Sequence, residues 1–302
     1  MILGQHIKSM NLIEKITNEY KNYATFLWKE LTHYHWNNYF LWLILISVFV
    51  FLLELIFPWR KDQPKIRKDF WLDFFYMFFN IFLFQLIIFR VAATLSFDGV
   101  VLLLKSLNLE FLIADRVGGL PLWSQLLILF IVRDFTHWNV HRLLHRVPFL
   151  WNFHKVHHSV KQMGFAAHLR FHWMESVVYN TIQFLPLALL GFTLDNFIIV
   201  YVITILIGHL NHANFYLPLG PFKYILNNPQ MHIWHHSRKI PDGFKYGVNY
   251  GLSLSLWDYI FRSASIPSNG RDVELGFEGD ENFPRSFSGQ IVYGFGKGSG
   301  EP

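Results

Sequence analysis

The sequence contains no cysteine. Disulfide bonds, thiolate metal sites and thiol catalysis are therefore excluded. Charged residues are also scarce, at 16% of the chain, whereas an ordinary soluble domain has roughly 25%. The chain instead has 52% hydrophobic and 19% aromatic residues, and this composition indicates a membrane protein.

One apolar run predicts a membrane-spanning helix. Residues 41–57 (LWLILISVFVFLLELIF) are apolar apart from Ser47 and Glu54, and their length nearly spans a hydrocarbon core of about 30 Å. Basic residues crowd the stretch between Arg60 and Lys68, and the positive-inside rule places this short loop in the cytoplasm. Lysine and arginine beside anionic lipid also explain the net charge of +5, so nucleic acid is not an expected partner.

Further apolar stretches predict the rest of the membrane region. They are a second span at about 70–95, an interfacial or re-entrant helix at 100–114, a third span from Pro121 to Asp134, and a hairpin of two short helices, 176–190 and 194–210, joined at Gly191. Counting crossings from the basic loop puts residues 137–172, 209–212 and 232–262 on one cytoplasmic face. The predicted fold is an all-α integral membrane protein with four to five membrane-inserted helices and a cytoplasmic helical cap.

The sequence divides into three expected regions. Residues 1–40 form an N-terminal amphipathic or interfacial segment without the features of a cleaved signal peptide. Residues 41–262 form a single membrane domain, because no Pro/Gly/Ser-rich linker interrupts them. Residues 263–302 form a polar C-terminal tail, because Gly, Ser and Pro are frequent there. The expected location is a bacterial inner membrane, with the active site facing the cytoplasm.

The histidines carry the strongest chemical signal. Most of the 16 histidines lie between residues 137 and 236. In DFTHWNVHRLLH, the residues His137, His141 and His145 recur at every fourth position and line one side of a helix. Two segments, HKVHH (154–158) and HIWHH (232–236), repeat a His-x-x-His-His arrangement. Their adjacent histidines diverge by about 100° around a helix axis, so that one segment can serve two metal ions.

So many histidines predict two metal ions rather than one. Structural zinc takes four ligands and catalytic zinc takes three plus water, so at least about eight imidazoles exceed the need of a single ion. Without metal, these groups, whose pKa values start near 6.5, would risk repelling one another as protonated rings. Imidazole suits iron, copper, nickel and zinc, so ligand type leaves the metal open. Soluble di-iron bundles use Glu-x-x-His pairs together with further glutamates, and the histidine-rich region 137–236 contains no Glu-x-x-His.

The motifs together resemble those of a known family. HRLLH, HKVHHS and HIWHHSR, followed by NYG at 249–251 and WDYIF at 257–261, are similar to the fatty acid hydroxylase / sterol desaturase superfamily of membrane di-iron enzymes. The segment LPLGPFKYILNNPQMHIWHHSR especially resembles the alkylglycerol monooxygenase-like bacterial members. The resemblance covers roughly residues 120–285. It implies two non-haem irons, O2 as co-substrate and oxidation of an unactivated C–H bond of a lipid, with zinc able to replace iron in purified material.

Matching the motifs of the family residue by residue implies the metal ligands. They are His141, His145, His154, His157, His158, His172, His212, His232, His235 and His236. The Arg-x-His-Pro-x-x-Glu element of the family reads RFHWME here, and Trp173 in place of the proline is a departure beside His172. His209, one turn before His212, is a candidate further ligand.

The resemblance also implies residues that support the ligands, and no catalytic side chain beyond them. The candidates for orienting an imidazole are Asp134, Arg170, Glu175, Asn214 and Asp258. Asp134 could equally mark the membrane boundary, and Asp258 could equally cap a local turn. The remaining histidines are expected to lie outside the metal site: His137 and His168 as ordinary residues near it, and His6, His33 and His35 as remote ones.

The expected function is hydroxylation of a fatty acyl, alkyl or sterol-like chain. The sequence has no Gly-rich dinucleotide fingerprint and no haem domain, so electrons must come from an external ferredoxin- or cytochrome-type donor. A desaturase using the same di-iron site is an open alternative. A metal transporter is a remote alternative, because its ligands would line a pathway at the bilayer midplane. A bis-histidine haem protein does not fit the doubled His-His pairs.

Overall fold

The structure is a computed structural model that describes residues 11–36, 38–84, 98–99, 101–109 and 117–295. Predictions for residues 1–10, 85–95, 110–114 and 296–302 therefore lie outside the described residues. Within the described part of the chain the regular structure is helical, and only isolated β-bridges occur in place of strands. The all-α prediction is confirmed for these residues.

The described residues form both long and short helices, and two of the short helices carry the His-x-x-His-His segments. In chain order they are α1 (Leu12–Thr32), α2 (Tyr39–Ile56), α3 (Phe70–Phe78, continued by a π-helical turn Phe79–Leu83), α4 (Leu122–Arg146), α5 (Pro148–His158), α6 (Trp173–Leu189), α7 (Leu194–His212), α8 (Pro229–His235), α9 (Leu256–Ile260) and α10 (Phe287–Ile291). Residues 101–106 are also helical, and short 3₁₀ turns occupy Phe165–Leu169, Gly220–Tyr224 and Asp280–Asn282.

Two helices among the described residues are long and apolar enough to cross a membrane. They are Tyr39–Ile56, with a mean hydropathy of 2.6, and Asp195–His212, with a mean hydropathy of 1.2. The first matches the predicted span at 41–57. The second was expected to be half of a short hairpin, but its 18 residues are long enough for a full crossing. The chain is a membrane protein, while the number of inserted helices stays a prediction.

The polar residue inside α2 has a structural role. The Oε1 atom of Glu54 accepts hydrogen bonds from the backbone N–H groups of Phe165 (2.7 Å) and Asn214 (2.9 Å). Helix α2 also packs against α7 and the 3₁₀ turn Phe165–Leu169. The carboxylate thus ties the end of α2 to the two segments that flank the histidine-rich region.

The long helices α4 and α7 run parallel and end together. The side chains of Gln125 and Asn196 are hydrogen-bonded at 3.2 Å, and those of Arg133 and Thr204 at 3.1 Å. In both pairs the α7 residue lies 71 positions after the α4 residue, as expected for parallel helices. The antiparallel helix α6 connects to α7 through a turn at Gly191, whose φ of 89° favours glycine. This arrangement brings the histidines at the ends of α4 and α7 to the same end of the bundle.

Residues 263–295 differ from the expected polar tail. Leu275, Phe277 and Phe283 are buried, and Phe277 and Phe283 pack with Val156 of α5. Arg60 donates to the carbonyl oxygens of Gly270 and Val273. The Gly, Ser and Pro residues form turns between these anchors, so composition alone misrepresented a segment that covers the histidine region.

Candidate metal centre

The histidine segments converge into two adjacent groups of buried side chains. One group contains five histidines and the other four, and within each group the candidate ligand nitrogens lie within 4.8 Å of one another. The five-histidine group is His141, His145, His154, His158 and His235, and the four-histidine group is His157, His212, His232 and His236. The rings of His158 and His236, one from each group, stack with centroids 4.5 Å apart, so the groups adjoin.

Two short helices, α5 and α8, each contribute histidines to both groups. On α5, His154 and His158 are i, i+4 neighbours and join the five-histidine group, whereas His157 faces the other group. On α8, His232 and the following C-cap residue His236 join the four-histidine group, and His235 faces the first. The helical period therefore divides each His-x-x-His-His segment between two sites.

Local capping sets where these two helices begin. Pro148 and Pro229 occupy the first turns of α5 and α8, where the missing N–H costs no hydrogen bond. The side chain of Asn228 also accepts from the backbone N–H of Met231 at 2.9 Å. Each helix thus starts at a fixed residue just ahead of its histidines, which fixes the direction in which they point.

Most of these histidines are oriented through the Nδ1 atom. Carbonyl and carboxylate oxygens only accept hydrogen bonds, so Nδ1 must carry the proton and Nε2 keeps a free lone pair. The pairs are His141 with Tyr250 O (2.7 Å), His145 with Tyr246 O (3.0 Å), His235 with Val248 O (2.8 Å), His157 with Arg170 O (3.0 Å), His212 with Gly208 O (2.8 Å) and His154 with Glu175 Oε2 (2.6 Å).

The Nε2 atoms meet in a way that requires a cation. The Nε2 atoms of His141 and His154 are 3.1 Å apart, and those of His157 and His212 are 3.3 Å apart, although both rings of each pair carry their proton on Nδ1. Lone pairs at this separation repel one another unless a positive ion lies between them. In addition, the Nε2 atoms of His145, His158 and His235 are buried without a hydrogen-bond partner. The donor set therefore fits two metal ions.

Burial keeps the candidate ligands neutral, as metal binding requires. Removal from water lowers the pKa of His157 to about 3, and the nearby His141 and Arg170 contribute to the shift. The pKa values of His158 and His236 are likewise held well below 6.5 by burial and by neighbouring imidazoles. Protons are thus weak competitors for these nitrogens near neutral pH.

One loop supplies three of the carbonyl groups that orient the five-histidine group. These belong to Tyr246, Val248 and Tyr250. Asp258, which is fully buried, accepts from the backbone N–H groups of Tyr250 and Gly251 and from the indole of Trp138. The WDYIF motif therefore fixes the loop, and Asp258 acts on the imidazoles through the backbone rather than by direct contact.

The other predicted supporting residues take different positions. Glu175 contacts His154 directly. The Arg170 side chain pairs with Asp69 and Asp73 near the start of α3, which holds its own carbonyl group toward His157. The remaining two do not contact an imidazole: Asp134 accepts from the backbone of Ser253 and Leu254 and from Trp257, and Asn214 exchanges hydrogen bonds with the backbone of Arg60.

The structure differs from the expected ligand set at His172. Its Nε2 is 2.7 Å from the carbonyl oxygen of Ile291, and its Nδ1 accepts from the backbone N–H of Met174. Both ring nitrogens are therefore engaged away from the two groups, and the residue packs against Phe153. The predicted candidate His209 also lies outside the groups, where its ring bridges Ser47 and His168.

A cavity of about 550 Å³ opens beside the metal centre. Its lining includes His141, His154, His157, His212 and His232, which come from both groups. Its walls come from α1, the π-helical turn after α3, α4, α6 and α7. They are mostly apolar, with Phe82, Leu169, Phe171, Phe197, Ile198 and Ile205 among the lining residues. An acyl or alkyl chain fits such a space.

Sequence reasoning did not identify the polar residues of this cavity. Arg133, His137, Tyr179 and Gln183 line it, and the last three form a contact group in which the rings of His137 and Tyr179 stack at 4.4 Å. A signal for Arg133 was available, because it directly follows seven apolar residues, 126–132, on a predicted membrane helix. No sequence signal identified His137 as a cavity residue. Its i, i+4 spacing to His141 is the same as that between the candidate ligands His141 and His145, although His137 lies outside both histidine groups.

Comparison with known proteins agrees with this geometry. Residues 126–263 match the family model described as fatty acid hydroxylase, and both histidine groups fall within that range. The chain is 30% identical over 177 residues to the ornithine lipid hydroxylase OlsE of Rhizobium tropici, covering 59% of this chain and 52% of that protein. It is 31% identical over 133 residues to human alkylglycerol monooxygenase, covering 44% of this chain and 28% of that protein.

A plant protein is also similar to this chain. The very-long-chain aldehyde decarbonylase GL1-10 of Oryza sativa is 30% identical over 152 residues, covering 47% of this chain and 49% of that protein. The chain thus spans about half or less of the length of these relatives. No solved structure matches the chain.

Proposed function

We propose that this chain, whose residues 126–263 match the family model described as fatty acid hydroxylase, is a membrane-bound non-haem di-iron monooxygenase that hydroxylates a C–H bond of a lipid. The proposed reaction consumes the lipid, O2, two electrons and two protons, and it yields an alcohol and water. The electrons come from an external ferredoxin- or cytochrome-type donor. The proposed location is a bacterial inner membrane, with the active site facing the cytoplasm.

A single observation carries the proposal. Histidines from two adjoining buried groups line a cavity whose other walls are mostly apolar. A metal centre that adjoins a mostly apolar cavity is suited to a substrate without a reactive polar group at the oxidised carbon. A structural zinc site would be closed by its own ligands and would not adjoin such a cavity.

The proposed ligands are the five and four histidines of the two groups. Iron bound there supplies the binding and reduction of O2 and the oxidising power needed to break an unactivated C–H bond. Neutral imidazoles leave the positive charge of the ions uncompensated by the protein, in contrast to the carboxylate-rich bundles of soluble di-iron proteins. Zinc can occupy the same nitrogens in purified material.

The chain's own residues orient the ligands and exclude water. Backbone carbonyl groups at Tyr246, Val248 and Tyr250 hold three imidazoles of the five-histidine group with Nε2 facing inward. Glu175 holds the proton on Nδ1 of His154 and increases the basicity of that ligand. The aromatic walls around Phe82 and Phe171 keep bulk water from the reacting carbon.

The relatives support a lipid as the substrate. One is named for hydroxylation of ornithine lipids and another for oxygenation of alkylglycerols. We propose a fatty acyl, alkyl or sterol-like chain as the oxidised part of the substrate. The cavity volume of about 550 Å³ lies within the ordinary range of roughly 300–1,000 Å³ for ligand sites.

The test uses purified full-length protein in lipid nanodiscs, loaded with Fe(II) and supplied with a chemical reductant and ¹⁸O2. We expect two irons per chain and one labelled oxygen atom in a lipid alcohol, detected by mass spectrometry. Label found only in water would contradict hydroxylation. Loss of two mass units from the lipid without gained oxygen would instead identify a desaturase.

A matched pair of histidine variants controls the experiment. His157→Ala removes a candidate ligand from the four-histidine group, and we expect it to abolish the labelled product. His33→Ala removes an exposed histidine far along the chain from the site, and product formation should be unchanged. Equal loss in both variants would indicate a general effect on the protein rather than the removal of a ligand.

A further inference from the structure

Arg133 is a charged residue beside an apolar stretch of α4. Residues 126–132, which precede it, are all apolar, and the helix continues toward the metal centre. A guanidinium that lines a mostly apolar cavity beside such a stretch is costly to remove from water unless it has a partner. The natural partner of arginine is a carboxylate or phosphate, which it binds through two parallel hydrogen bonds.

The described part of the protein offers Arg133 no such anionic partner. Its Nη1 donates to the Thr204 hydroxyl at 3.1 Å, and its guanidinium lies over the Tyr201 ring, 5.2 Å from the centroid. None of the ion pairs among the described residues includes it. The adjacent Asp134 faces elsewhere, where it accepts from the loop at Ser253 and Leu254.

The guanidinium lines the same cavity as the metal ligands. Arg133, His137 and His141 follow one another at i, i+4 and i+8 on α4, and all three line the cavity. Eight residues of helix correspond to a rise of about 12 Å. The charge is therefore separated from the metal centre by a fixed length of cavity, and guanidinium donors not used by Thr204 remain for a ligand.

The cavity between these two points suits a hydrocarbon chain. Its lining includes Leu169, Phe171 and Ile205, with the hydrogen-bonded pair His137 and Gln183 between Arg133 and the metal ligands. A molecule with an anionic group at one end and a hydrocarbon segment beyond it would satisfy both the guanidinium and the apolar walls. Neither a fully apolar lipid nor a free small anion would satisfy both.

We propose that Arg133 binds an anionic oxygen group of the substrate, a carboxylate or a phosphate, and thereby selects which carbon lies at the metal centre. Only the selection of the oxidised carbon rests on the proposed function, because binding of the anion requires neither iron nor turnover. Arg133 is in this sense a specificity-determining residue.

The test compares three ligands that share one sixteen-carbon chain. Palmitate, hexadecyl phosphate and hexadecanol are titrated by calorimetry into the full-length protein at neutral pH, with and without added Fe(II). We expect wild-type protein to bind at least one of the two anions about tenfold or more tightly than hexadecanol, as expected when a charge-assisted hydrogen bond is formed. Preference for palmitate would identify a carboxylate, and preference for hexadecyl phosphate would identify a phosphate group.

Substitution of Arg133 should remove the preference without abolishing binding. In Arg133→Gln, affinity for the preferred anion should fall to that for hexadecanol, while hexadecanol binding changes by less than about threefold. Arg285→Gln removes the same charge from an exposed position and should keep the wild-type preference. If Arg133→Gln binds none of the ligands, Arg133→Lys decides, because a retained positive charge should restore the preference for the anion over hexadecanol.

Several outcomes would overturn the proposal. Equal affinity of wild-type protein for all three ligands would do so, as would an anion preference that survives in Arg133→Gln or that Arg133→Lys fails to restore. Failure of the proposed function would appear differently, as absence of oxidised product with the anion preference intact. With active protein, a further readout is the position of the hydroxyl group, which should spread over several carbons in Arg133→Gln but stay at one position in Arg285→Gln.

Discussion

The Nδ1 atom of His154 lies 2.6 Å from Oε2 of Glu175, and both side chains are buried. The other oxygen of the carboxylate, Oε1, accepts from the backbone N–H of His172 at 3.1 Å. Glu175 thus joins α5 to the start of α6. Among the candidate ligands whose Nδ1 partner is described, His154 alone has a carboxylate in this role, while the others have carbonyl groups.

Replacement of Glu175 by Gln should weaken metal binding at the five-histidine group. Burial raises the pKa of Glu175 to about 8, and a metal cation bound by His154 would favour the ionised carboxylate, whose negative charge raises the basicity of that ligand. The amide keeps the shape of the carboxyl group but not this charge. Loss of such a partner typically lowers metal affinity by about 10–100-fold. Metal titration followed by elemental analysis should therefore show one tightly bound ion per chain instead of two. The control Glu278→Gln, at an exposed position, should keep both ions. Two tightly bound ions in Glu175→Gln would show that the contact between Glu175 and His154 does not support metal binding.

Removal of single ligands should separate the two metal sites. His145→Ala takes a ligand from the five-histidine group, and His212→Ala takes one from the four-histidine group. We expect each variant to lose affinity mainly for one ion, because the altered site keeps fewer imidazoles while the other keeps its full set. The two variants should differ in the spectrum of bound Co(II), which reports on coordination. Identical spectra and identical metal content would argue against two distinct sites.

Asp258→Asn should destabilise the protein by about 1–3 kcal/mol or more. The carboxylate accepts from two backbone N–H groups, the indole of Trp138 and the hydroxyl of Ser263. An amide would place an NH₂ group against some of these donors, and the loop that orients His141 and His235 would lose its anchor. Thermal unfolding measures the change. Asp242→Asn, at an exposed residue, is the matched control and should unfold as wild type does.

Gly208→Ala should also destabilise the protein, by about 1–3 kcal/mol. A Cβ atom at this position would overlap atoms of the His168 ring, so the ring or α7 must move. Because the Gly208 carbonyl also holds Nδ1 of His212, metal affinity of the four-histidine group should fall together with stability. Gly119→Ala adds the same methyl group where nothing lies within 4 Å. Unchanged unfolding of Gly208→Ala would contradict the close contact.

The local sequence predicted elements with a continuous apolar pattern, but it did not predict which residues of a mixed segment are buried. The apolar run at 41–57 gave α2 within two residues, because a continuous run of apolar side chains has few alternatives. The segment 263–295 looked polar by composition, yet Leu275, Phe277 and Phe283 are buried. Three spaced apolar residues produce no periodic signal, and their burial depends on α5 being present to receive them.

The motifs identified nearly all of the candidate metal site. Every histidine in the two groups was expected from the sequence, and the divergence of adjacent histidines around a helix already indicated two ions per segment. His172 also fitted the motif, but Ile291 and Met174 engage its two nitrogens. A motif carries residue type and spacing, whereas a ring-nitrogen partner can come from a segment more than a hundred residues away, as Ile291 does for His172.

The sequence by itself determined that the chain is helical, membrane-associated and able to bind metal, because these properties follow from composition and from spacing along one helix. The tertiary structure decided which histidines share an ion. His154 lies nearly as close around its helix to His157 as to His158, and only the approach of α4, α7 and α8 assigns it to the group with His158. It also decided that Arg133 faces the cavity of these ligands, since that depends on the parallel packing of α4 and α7.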